Sequence, residues 1–228
     1  MSETATVTRL AVRELWISFR LLALLAAYVA AGAVVALLPA PASVTLARLS
    51  LGLSGGMVIG AAIAASALST ERALGRAGWL VTRSVSRSTL LVGWFVALGG
   101  ASLVGLAAAG TLGWMAVSGP LSPLEPAAFA AVLLGAGAMS LAGIALGLAL
   151  GAVLRPLIAT LAALALGAVT VAAFRLLLPD SVLPITVLAD LAAVDRPVAV
   201  GIRGAGACLL ATAVGLTLAR LGLGRMDL

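Results

Sequence analysis

The stretch that decides the fold runs from Ala127 to Leu178 and reads AAFAAVLLGAGAMSLAGIALGLALGAVLRPLIATLAALALGAVTVAAFRLLL. Its only charged residues are Arg155 and Arg175. A helix needs about 20 apolar residues to cross a hydrocarbon core. The stretch is long enough for two crossings, and Arg155-Pro156 divides it into Ala127–Leu154 and Leu157–Leu178. Working outward, four more such runs appear. They are Leu21–Leu38, closed by Pro39 and Pro41; Leu49–Leu68; Leu90–Val117, bracketed by Trp94 and Trp114; and Val198–Ala219. Tryptophans at the two ends of a run suit the membrane–water interfaces. The expectation is an all-α membrane protein of six transmembrane helices, with residues 1–228 forming a single membrane domain. The runs at 90–117 and 127–154 are longer than a crossing requires and are expected to tilt or project.

Composition agrees. The chain of 228 residues is 63% hydrophobic and 10% charged, with a mean hydropathy of +1.23, whereas soluble domains are ~25% charged. A water-soluble domain of this size has too much surface relative to volume to hide so much apolar area. All 14 basic residues are Arg, with no Lys and no His. Without Lys there is no phosphate-binding loop of the Gly-x4-Gly-Lys-Ser/Thr type. Without His there is no imidazole for metal, haem, a Ser-His relay or a near-neutral proton switch. The single Cys208 excludes an intrachain disulfide and a cysteine metal site. The chain is therefore expected to be no enzyme, with no metal and no cofactor of its own. Arg in place of every Lys reads as a GC-rich bacterial genome. The high pI reflects arginines flanking spans, not nucleic-acid binding, since the aromatic-poor loops offer no base-stacking platform.

Charge distribution sets the expected orientation. With six spans, one side holds Arg9, Arg13, Arg20, Arg72, Arg76, Arg83, Arg87, Arg155, Arg220 and Arg225, and the other Arg48, Arg175, Arg196 and Arg203. The positive-inside rule then puts both termini in the cytoplasm. Glu3, Glu14, Glu71 and Asp227 fall inside, while Glu125, Asp180, Asp190 and Asp195 fall outside, so the whole net charge of +6 lies on the cytoplasmic face. Ala40-Pro41-Ala42 mimics a signal-peptide cleavage site, but the apolar run before it exceeds an ordinary signal core, and the segment is expected to be retained.

Ahead of the first run, Val12, Leu15, Trp16 and Phe19 repeat at helical spacing, with Arg9, Arg13 and Arg20 off the stripe. This predicts an amphipathic helix over 8–20 lying in the cytoplasmic interface, its rings in the acyl boundary and its guanidinium groups among phosphates. Inside the spans no Asp, Glu or His falls centrally. Only hydroxyls do (Ser54, Ser66, Ser102, Thr111, Ser140, Thr160, Thr170 and Thr212), and these suit interhelical hydrogen bonds. Ion-coupled transport and intramembrane hydrolysis lack the groups they need. Gly52, Gly56 and Gly60, and again Gly143, Gly147 and Gly151, form ladders that permit close helix approach. With 26 glycines in the chain, chance alone accounts for most such pairs.

The longest cytoplasmic segment, 69–87, reads STERALGRAGWLVTRSVSR. Ser69 or Thr70 can cap a short helix with Glu71 in its first turn, and Ser86 can cap the helix of the next span. Leu74, Ala77, Trp79, Leu80 and Val81 supply apolar surface. The residues alone allow either a docking helix or an ordinary positive-inside loop.

Glu71-Arg72, Gly75, Trp79-Leu80-Val81, Ser84-Val85-Ser86-Arg87 and Leu90-Leu91-Val92-Gly93 stand at the spacing of a pattern found in ABC-2 type permeases, and the chain resembles that family. The close match covers about 23 residues, 71–93. Two positions depart from it: Ser84 where proline is usual and Trp94 where lysine is usual. The resemblance implies a permease subunit of an ATP-driven exporter. Residues 69–87 would be a coupling loop seated on a separate ATP-binding cassette ATPase subunit. Glu71 and Arg72 would make polar docking contacts, Gly75 would allow close backbone approach, Trp79 would supply apolar contact, and Ser86 and Arg87 would anchor the next span. A second permease chain, in a homo- or heterodimer, would complete the path, with ATP and Mg bound by the partner subunit. Segment 179–197, with Pro179, Asp180, Pro184, Asp190 and Asp195, would be an external re-entrant gate or a plain extracellular loop. The cargo of an Ala/Gly/Leu-lined path would be hydrophobic or amphipathic, and the location the cytoplasmic membrane. The alternatives are a non-transporting scaffold or degenerate permease subunit, and a passive small-solute channel.

Overall fold

The computed structural model describes residues 3–38, 40–75, 85–118, 125–177, 188, 191 and 197–224. The helices are α1 (Glu3–Ile17), α2 (Arg20–Leu37), α3 (Ala42–Ala73), α4 (Arg87–Val117), α5 (Pro126–Val153), α6 (Pro156–Leu177) and α7 (Pro197–Gly224). No strand occurs among the described residues. Among the described residues five helices (α2, α3, α4, α5 and α7) are long and apolar enough to cross a membrane, and α6 is apolar over Pro156–Ala172. The chain is a multi-pass helical membrane protein by this measure.

Helices α3, α4 and α5 form the centre. Within its most apolar window α3 is 61% buried, against 33% for α2 and 28% for α7. Burial in lipid gives no hydrophobic drive between helices, because acyl tails are as apolar as leucine. Close van der Waals fit must hold the bundle instead. Both glycine ladders supply that fit. Gly52, Gly56 and Gly60 of α3 receive Ala31, Tyr28 and Leu24 of α2 in antiparallel register. Gly143, Gly147 and Gly151 of α5 lie on Met57, Ala61 and Ala65 of α3. The largest helix pair, α5 with α7, is closed by Gly201, Gly215 and Gly222 of α7. Alanines join α6 to α3, with Ala159 and Ala163 packed on Ala61 and Ala65.

Tyr28 is the fully buried aromatic of this core. Its ring lies in the space left by Gly56 and Gly105. Its hydroxyl donates to Ser140 Oγ at 3.0 Å, and that hydroxyl donates to the Ala136 carbonyl at 3.1 Å. The chain of bonds satisfies the phenol without water. Ser102 Oγ is also fully buried and has no hydrogen-bond partner among the described residues.

Four expectations change. The run expected at 49–68 is the middle of a longer helix, because Pro41 and Gly75 set its ends. Ser69 and Thr70 therefore cap no separate helix. Their hydroxyls donate to the Ala65 and Ser66 carbonyls at 2.6 and 2.7 Å, which satisfies them inside α3. The N-terminal helix spans Glu3–Ile17 instead of 8–20 and turns Val7, Ala11 and Leu15 inward, with Val7 against Gly93 of α4. Leu15 thus leaves the expected stripe, while Val12, Trp16 and Phe19 stay exposed. Periodicity finds an apolar face without telling protein from lipid. For the same reason Trp94 is buried in the core instead of facing an interface.

Candidate functional site

The chemistry-bearing residues collect at one end of the bundle, where α3, α5 and α7 finish and α2 and α4 begin. Each finishing helix exposes carbonyls without intrahelical partners and carries roughly half a negative charge there. Arginines meet those of α5 and α7, and another reaches a hydroxyl in the last turn of α3. Arg72, in the last turn of α3, donates Nη1–H to the Gly151 carbonyl at 3.1 Å and Nη2–H to that of Val153 at 3.3 Å, at the end of α5. Arg87, the first residue of α4, donates to the Gly224 carbonyl at 3.0 Å, at the end of α7. Arg20, the first residue of α2, reaches Thr70 Oγ1 of α3 at 3.5 Å. At the opposite end Arg48 donates to the Leu38 carbonyl at 3.1 Å, at the end of α2.

Segment 76–84 leaves this end from fixed roots. On one side Gly75 takes φ +71°, where an L side chain is strained, and its N–H bonds the Arg72 carbonyl at 3.0 Å, closing α3. A Cβ at Gly75 would meet nothing within 4 Å among the described residues, and the positive φ there serves to terminate the helix. On the other side Ser86 caps α4, its Oγ accepting from Thr89 N at 3.0 Å, as the sequence predicts. Its hydroxyl also contacts those of Ser88 and Thr89, at 2.9 and 2.7 Å.

Glu71 is buried, 8% exposed. Arg72 beside it is turned to the end of α5. Arg9 and Arg13 are exposed on α1, beside exposed Trp16. Phe19 joins α1 to α2 at φ +58° with its ring 70% exposed. Trp79, and Pro179, Asp180, Pro184, Asp190 and Asp195 of the expected gate, lie outside the described residues. The arginine contacts to α5 and α7 escaped the sequence reading. Arginine near a helix end is a visible signal, but its acceptor 79 to 137 positions away is not. No protein-family model matches the chain, and no curated protein matches it.

Proposed function

We propose that the chain is the membrane subunit of an ATP-driven exporter of the ABC-2 permease type, powered through residues 69–87 by a separate ATPase. In this reading α6 also crosses the membrane, as the fifth of six spans, and both termini are cytoplasmic, so the arginine-tied end faces the cytoplasm. One observation carries it: segment 76–84 springs from two capped roots that are themselves tied by Arg72 and Arg87 to α5 and α7. A push on such a segment would reach helices far away in sequence, which an untethered positive-inside loop would not do. The exposed Trp16 and Phe19, with Arg9 and Arg13, support an interfacial seat for α1 at the same end. A second permease chain would complete the substrate path, and the cargo would be hydrophobic or amphipathic. The motor must be borrowed, since the chain has no Lys for a phosphate loop and no His.

The reading is tested by co-purifying the chain with its ATPase and reconstituting both in liposomes. Trp79→Ala combined with Leu80→Asp should leave insertion intact and abolish stimulation of ATP hydrolysis by the permease. Unchanged stimulation would refute the coupling assignment.

A further inference from the structure

We propose that the groove between α5 and α7, at the arginine-tied end, binds an anionic phospholipid, with the phosphate on Arg72 and an acyl chain along the apolar walls. The groove has a volume of about 550 Å³, and its walls include Leu146, Leu150, Val153, Leu218 and Leu221, with Arg72 the one charged lining residue among those described. It opens sideways to the surroundings of the bundle. Val153 is 62% and Leu221 60% exposed, so water is a poor occupant and a hydrocarbon chain a good one. Gly222 gives it depth, since a Cβ there would come within 2.9 Å of Val153 Cγ2.

Charge selects the headgroup. A guanidinium has five N–H donors in a planar fork. Arg72 uses Nη1 and Nη2 on the α5 carbonyls and is only half-buried, which leaves donors for a phosphate oxygen. Exposed Arg155 and Arg220 directly adjoin the lining residues Leu154 and Leu221 in sequence, and no acidic residue lines the groove among the described residues. A basic pocket between helices at headgroup depth is the arrangement that holds anionic lipids. The same charges disfavour a second copy of this chain as the occupant, because a two-fold contact would set Arg72, Arg155 and Arg220 against their own images. The inference needs only a membrane-embedded bundle and does not depend on coupling to an ATPase.

The test is titration of the delipidated full chain in mild detergent with dioleoylphosphatidylglycerol or dioleoylphosphatidylcholine, read by native mass spectrometry. The anionic lipid should bind about tenfold more tightly, the size of effect expected for charge-assisted contacts at a partly exposed site. Leu221→Trp, which fills the groove, should weaken the anionic lipid by about tenfold or more. Leu210→Trp, on an exposed part of α7 away from the groove, should not weaken it. Arg72→Gln should erase the preference between the two lipids. If that variant fails to fold, the Leu221→Trp comparison still decides. Equal binding of both lipids, or unchanged binding by Leu221→Trp, overturns the proposal. So does a dimer that Leu221→Trp splits without any change in lipid, which would give the groove to a second copy.

Discussion

Gly147 faces the Ala61 carbonyl oxygen of α3 so closely that a methyl group cannot be added without moving backbone. A Cβ there would also lie 2.9 Å from the Ala61 carbonyl carbon and 3.0 Å from Ala64 Cβ. Relief by rotation of a flexible side chain is not available. Withdrawal of α5 would loosen the neighbouring contacts of Gly143 with Met57 and of Gly151 with Ala65. Gly55, on the exposed face of α3, offers the matched control, since a Cβ there meets nothing within 4 Å. Glycine to alanine in a helix interior gains up to ~1 kcal/mol in intrinsic propensity at either site. Taking the difference between the two variants cancels that gain and isolates the overpacking, worth about 1–3 kcal/mol. Gly147→Ala should therefore unfold more easily than Gly55→Ala by that amount, measured by circular dichroism in a titration with denaturing detergent. Equal unfolding of the two variants would refute ladder packing between α3 and α5.

Gly75→Ala should cost about 1 kcal/mol, because alanine resists the left-handed backbone that closes α3; the same titration measures it. Ser102→Ala should be neutral or stabilising by up to about 1 kcal/mol, since it removes a buried hydroxyl without a partner among the described residues. A destabilisation of similar size would reveal a partner for it. Cys208 is the only cysteine and is 7% exposed, so the native protein should resist a maleimide that labels it after unfolding. In a Cys208→Ala background, Leu74→Cys and Leu38→Cys, the C-caps of α3 and α2 at opposite ends of the bundle, should react with a membrane-impermeant maleimide only from opposite sides, Leu38→Cys from outside. Labelling of both from one side would reject the orientation.

Apolar run length gave access to most of the architecture, because crossing a bilayer imposes a length that few other structures share. The break at Arg155-Pro156 separates α5 from α6 just as the sequence implies. Helix ends were less legible. Ser69, Thr70 and Glu71 look like a helix start, yet α3 carries them in its final turn because serine and threonine can return their hydroxyls to carbonyls four residues back. The glycine ladders were indistinguishable from chance until their partners on α2 and α3 were known. The Tyr28–Ser140 bond joins residues 112 positions apart, and local pattern holds no trace of it. At the candidate site, the capping role of Ser86 was legible because it acts within three residues. The ties from Arg72 and Arg87 were not, because only the folded bundle brings their acceptors near.

The central claim is that residues 69–87 take up force from a separate ATPase. A photo-crosslinking amino acid placed at Leu80, activated in intact membranes, examines that contact without assuming a substrate. The account predicts a covalent adduct with a soluble, ATP-hydrolysing subunit, lost when that subunit is depleted. Adducts with lipid alone, alongside normal association of the ATPase with the membrane chain, would contradict it.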